Sequence, residues 1–70
     1  MDGIELKCEI MRNGYTISGF AEAIGMSKKA LYYKLSGKSM FKQSEIQRIS
    51  AALNLSNDRI ISIFFNPEVS

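Results

Sequence analysis

The sequence predicts an all-α fold: five short helices packed as one small domain over residues 1–70. Three observations carry this. Apolar residues recur at three- and four-residue spacing in five segments. Each segment opens near a capping residue, and most of them close at Gly or Pro. No segment of useful length alternates apolar and polar residues as a half-buried strand does.

Segment one covers residues 2–13. Asp2 is its cap, and Glu5 three residues on has the spacing of a capping box. Its apolar residues fall on two neighbouring stripes, Ile4, Cys8 and Met11, then Leu6 and Ile10; Cys8 is expected as a small core residue. Asn13-Gly14 ends it, because Gly accepts the left-handed conformation of a helix stop. Segment two covers residues 17–24 behind Thr16, with Phe20, Ala21 and Ile24 inward and Gly25 as its stop. Gly19 inside it costs up to about 1 kcal/mol relative to Ala.

Segment three covers residues 27–36, with Ser27 as cap and Gly37 as stop, and a loop follows over residues 38–42. Segment four, residues 44–53, sets Ile46, Ile49, Ala52 and Leu53 at helical spacing. Segment five follows Ser56, carries Ile60, Ile61, Ile63, Phe64 and Phe65, and stops at Pro67. Residues 68–70 read as a short extended tail.

Composition excludes several chemistries. Of 70 residues, 46% are hydrophobic and 23% charged, the balance of a folded domain. There is no His and only one Cys, so a disulfide framework, a Cys/His zinc site and histidine acid–base catalysis are all ruled out. No nucleophile–base pair, phosphate loop or carboxylate dyad stands out, so neither an enzyme nor any cofactor or small-molecule ligand is expected. The longest nearly apolar run, residues 60–65, is too short to span a bilayer, and Asp2, Glu5 and Glu9 do not suit a signal peptide. A cytoplasmic location follows as an expectation.

Charge is uneven along the chain. Residues 28–48 hold six positive side chains and one acid, Glu45, for a net charge of +5. The rest holds three positive and six acidic side chains, a net −3. A basic centre between acidic ends is either a solvated lysine-rich face or a surface that attracts polyanions.

Segments two and three have the spacing of a helix-turn-helix over residues 17–36. Gly25 sits where the turn needs a positive φ. Ala21, four residues before it, lets the two helices cross closely. Leu31, six residues after it, fills the angle between them, and Phe20, Ile24 and Leu35 complete a small core.

The run Gly14-Tyr15-Thr16, then Phe20-Ala21-Glu22-Ala23-Ile24-Gly25-Met26-Ser27, then Leu31 and Gly37-Lys38, resembles the DNA-binding domain of phage repressors and Cro-like proteins. Phe41-Lys42-Gln43-Ser44-Glu45-Ile46, with Ala52-Leu53-Asn54-Leu55 and Ile63-Phe64-Phe65, resembles small regulators of this type from phages and mobile elements of Gram-positive bacteria. The resemblance covers nearly the whole chain. It implies a five-helix lambda-repressor-like domain that binds duplex DNA sequence-specifically in the bacterial host cytoplasm, at the nucleoid. There are departures. Ile17 stands where many members carry a Gln that anchors phosphate, and Lys34-Leu35 stands where many have an apolar residue and then an acid. Gly19 is also unusual.

At 100° per residue, Lys28, Lys29, Tyr32, Tyr33 and Ser36 share one arc of segment three, opposite Leu31 and Leu35. In a helix-turn-helix that outer face lies in the major groove. Lys28 and Lys29 are candidates for guanine O6 and N7, or for phosphate. Tyr32 and Tyr33 are candidates for thymine methyls or phosphate, with packing over a neighbouring helix end as the alternative for Tyr33. Ser36, Lys38 and Lys42 are expected phosphate contacts. Thr16 and Ser27 head helices whose first N–H groups can meet phosphates, and cap those helices in either case. Lys34 and Arg48 are left outside the set.

One recognition helix reads few base pairs, whereas specific binding exceeds non-specific by about 4–10 kcal/mol. That favours a homodimer on an inverted repeat of double-stranded DNA. Phe65 and Val69 are the expected interface, with Ile60 and Phe64 in the core. The sequence keeps an alternative open: a protein-interaction module of helix-turn-helix ancestry, antirepressor-like or antitoxin-like, that uses segment five. If these 70 residues are the whole protein, control comes from abundance, competition or a partner, since no sensing domain is present.

Overall fold

The computed structural model describes residues 1–65, and these hold five helices and no strand. The helices are α1 (Gly3–Arg12), α2 (Ile17–Ala23), α3 (Lys28–Leu35), α4 (Gln43–Ala52) and α5 (Asn57–Phe64). Each lies within one or two residues of the sequence expectation. Pro67, Val69 and the tail lie outside the described residues.

Local hydrogen bonding explains why the boundaries are legible. Asp2, Thr16, Ser27 and Ser56 each accept an N–H from three residues on, those of Glu5, Gly19, Ala30 and Arg59. The first four helices end alike. In α2, Gly25 N–H donates to Glu22 O at 3.1 Å and Met26 N–H to Ala21 O at 2.8 Å. This paired pattern is the Schellman motif. The same two bonds close α1 at Gly14, α3 at Gly37 and α4 at Asn54. All four residues have positive φ, and Asn54, at 52°, is the only non-glycine among them.

The Asp2–Glu5 capping box is only half formed. Asp2 accepts the Glu5 N–H at 3.0 Å, but its own N–H donates to Ile63 O at 2.7 Å. The Glu5 carboxylate turns instead to Arg59 on α5, at 3.2 Å. Arg59 also pairs with Glu9 at 3.0 Å, so one guanidinium ties the acidic flank of α1 to α5.

One core unites all five helices. It contains Leu6, Ile10, Ile17, Phe20, Ala21, Ile24, Leu31, Leu35, Ile49, Leu53, Ile63 and Phe64. Of the two apolar stripes on α1, only Leu6 and Ile10 are buried. Ile4 and Met11 are exposed, and so is Cys8, which corrects its expected core placement. The inward face of α1 is selected by α2, α3 and α5, which pack against it. In α4, Ile49 and Leu53 are buried and Ile46 half-buried, whereas Ala52 faces solvent. Within the expected loop, the Phe41 ring meets Phe64 edge-on, with ring centroids 5.7 Å apart. No helix among the described residues is long and apolar enough to cross a membrane.

Candidate nucleic-acid interface

The site is built on α3 and on the turn that ends it. Ser27 caps α3, Leu31 is fully buried against α2, and Leu35 is buried against the N-terminus of α1. Anchoring those two leucines fixes the helix rotation. Tyr32 and Tyr33 are then left 44% and 46% exposed, beside exposed Lys28 and Lys29. Gly25, at φ +73°, makes the connection from α2. Ala21 is buried there, where a larger side chain would part the helices.

Cation–π contacts order the outer face. Lys28 Nζ lies 5.8 Å from the Tyr32 ring centroid. Lys29 Nζ lies 5.7 Å from the Tyr33 centroid and Lys38 Nζ 5.5 Å from the same ring. Such contacts stabilise exposed side chains by about 0.5–1 kcal/mol each. None of the three lysines joins an ion pair within residues 1–65. The ion pairs lie elsewhere, at Glu5, Glu9, Arg12 and Arg59, and between Lys34 and Glu45.

The other expected site residues are placed as follows. The Ser36 hydroxyl donates to Tyr33 O at 2.9 Å, so it serves the end of α3. The Ser27 and Thr16 hydroxyls are engaged as caps. Each uses the third N–H of its helix and leaves the first two without an intrahelical acceptor. Lys42 belongs to another element, the N-cap of α4, where its backbone N–H donates to Glu45 at 2.7 Å. Tyr33 is flanked by two lysines.

Two residues left outside the expected set support the site from behind. Lys34 Nζ meets Glu45 at 2.6 Å with both side chains largely buried, 12% and 15% exposed. Burial pushes the Glu45 carboxyl up. The Lys34 ammonium and the Lys42 N–H outweigh that and hold it below its ordinary value. Arg48 donates to Ile24 O at 3.0 Å and so ties α4 to the C-terminal end of α2, beside Gly25. Gly3, which the sequence did not single out, is a third support. A Cβ there would lie 2.0 Å from Leu35 O, so only glycine lets the start of α1 meet the end of α3. Neither Arg48 nor Gly3 has a local sequence signal, because their partners are remote in the chain. Among the described residues no group of three or more His, Cys, Asp or Glu side chains is placed to hold a metal ion.

Fold and surface together define a small all-helical domain with an unneutralised lysine–tyrosine face on one helix. The chain belongs to the family described as protein of unknown function (DUF739), whose model matches residues 2–67. No curated protein and no solved structure matches it.

Proposed function

We propose that this protein is a sequence-specific duplex-DNA-binding regulator of the phage repressor or Cro-like type, with α2 and α3 acting as a helix-turn-helix. The observation that carries the reading is the outer face of α3. Lys28, Lys29, Tyr32 and Tyr33 are exposed there, and neither lysine joins an ion pair among the described residues, whereas Glu5, Glu9 and Glu45 are paired elsewhere. A helix in the major groove needs that pattern: donors for base edges and phosphates, apolar faces for thymine methyls, and no local acid. Ile17 lies in the core, so its side chain makes no phosphate contact in this reading.

In this reading the protein is not an enzyme and needs no cofactor. It acts as a homodimer on an inverted repeat, in the cytoplasm of a bacterial host, and represses by occluding a promoter. Phe65, exposed at the end of α5, is the described residue assigned to the dimer contact, while Phe64 is committed to the core. The test is selection from a random duplex-DNA pool at near-physiological salt. An enriched inverted repeat with half-site centres about one helical turn apart is expected.

A second reading, a protein-interaction module, draws on an apolar groove that shares Tyr32 and Phe65 with the first. Ile4, Tyr32, Met40 and Phe65 are exposed and line one groove of about 860 Å³. A pool that yields no enriched motif, together with a stable complex indifferent to DNA, would favour that reading.

A further inference from the structure

The proposed DNA-binding face is not uniform, and its asymmetry assigns different work to its two lysine–tyrosine sets. Lys28 stands over Tyr32 alone, at the start of α3. Tyr33 has two ammonium groups on one ring, Lys29 from within the helix and Lys38 from beyond its end. Those two charges cannot be further apart than the sum of their distances to the ring, 5.7 and 5.5 Å. Like charges within that bound repel, and no carboxylate among the described residues pairs with either.

Backbone geometry holds this arrangement. Lys38 N–H donates to Tyr33 O at 3.0 Å, and the Ser36 hydroxyl donates to that same oxygen at 2.9 Å. Gly37, at φ +84°, turns the chain so that Lys38 comes back over the ring whose carbonyl it binds. Lys38 is therefore returned to Tyr33 by the helix stop.

The geometry points to a phosphate clamp: Lys29 and Lys38, set on the Tyr33 ring, grip one phosphodiester of the nucleic-acid backbone, while Lys28 and Tyr32 are left to read bases. This rests on the DNA-binding reading and deepens it. A bound phosphate relieves the repulsion between the lysines, and the ring contributes its face rather than its hydroxyl. The clamp therefore positions the protein and carries no sequence information.

The test uses the whole chain with two probes, a random-sequence duplex and inorganic pyrophosphate. Thermal melts first verify that each variant folds, as expected for exposed side chains. On the duplex, Lys29→Ala and Lys38→Ala are each expected to lower the slope of log affinity against log salt by about one, alike on all sequences. Tyr33→Phe keeps the ring and stays within about twofold of the parent, because Phe also attracts cations. Tyr33→Leu binds more weakly, and in its background the loss caused by Lys38→Ala shrinks, the coupling a double-mutant cycle detects.

If Tyr33→Phe is as impaired as Tyr33→Leu, or if the lysine losses are identical in both backgrounds, the clamp is overturned while duplex binding stands. If the parent ignores duplex DNA but pyrophosphate shifts the amide resonances of residues 33, 37 and 38, and Tyr33→Leu abolishes this, Lys29, Tyr33 and Lys38 stand as an anion site, while the duplex reading and its phosphodiester assignment are overturned. If neither probe binds, both are overturned.

Discussion

Replacing Gly3 with alanine puts a methyl group on the line of closest approach between two helices. Gly3 opens α1, and an ideal Cβ there would sit 2.0 Å from Leu35 O and 3.1 Å from the Leu35 carbonyl carbon. Real Cβ contacts essentially never fall below 3.0 Å, so α1 and α3 must part by about 1 Å. The obstacle is backbone at the end of α3, where Gly37 N–H to Lys34 O and Lys38 N–H to Tyr33 O already fix the chain. Leu35 is itself buried, so the shift propagates into the core.

Overpacking of this kind costs about 1–3 kcal/mol. Alanine's advantage over glycine in a helix, up to about 1 kcal/mol, acts in the opposite direction. A net loss of about 1–2 kcal/mol is expected. In a domain of this size each kcal/mol shifts Tm by about 4–8 °C, so Tm should fall by about 5–15 °C. Urea and thermal unfolding followed by circular dichroism, with the m-value unchanged, would measure it. The competing helix-propensity term makes the sign decisive. If Gly3 were an ordinary first-turn residue, Gly3→Ala would raise Tm. An unchanged or higher Tm refutes the close approach.

Other expected outcomes test the site and its supports. Lys28→Ala should relax preference at one or two base positions of the selected operator, by about 1–3 kcal/mol each, in competition binding; equal loss on all sequences would make Lys28 a phosphate contact. Gly25→Val should cost more than about 1 kcal/mol, since a β-branched residue is strained at φ +73°, and an equally stable variant would refute the positive φ. The Glu45 carboxyl is held below its ordinary value, so its contribution is complete above the unfolded-state pKa and is lost as pH falls through the lower folded one. Glu45→Gln should therefore lower Tm at pH 7 and flatten the decline of Tm under acid, and a parallel pH profile would contradict the Lys34 pairing. Asn54→Gly should raise stability by a few tenths to about 1 kcal/mol in urea melts, because Asn54 occupies the left-handed stop that glycine fills in α1, α2 and α3.

The sequence by itself determined what is decided within four or five residues. Caps at Asp2, Thr16, Ser27 and Ser56 and stops at Gly14, Gly25 and Gly37 are short-range hydrogen bonds and backbone preferences, so the helices were legible from residue type and spacing. The arc of Lys28, Lys29, Tyr32 and Tyr33 was legible for the same reason, since the helical repeat sets which side chains share a face. Tertiary structure decided what depends on a remote partner. Periodicity marks two apolar stripes on α1 but not which one its neighbours cover, and the packing of α2, α3 and α5 buries Leu6 and Ile10 and leaves Cys8 in solvent. The choice of Arg59 for Glu5 and Glu9, of Arg48 for Ile24 O, of Phe64 for Phe41 and of glycine at position 3 is likewise set by helices meeting across the fold. Those contacts arise only when packing brings distant segments together, because the free energy that selects them is burial of a shared core and not any local preference.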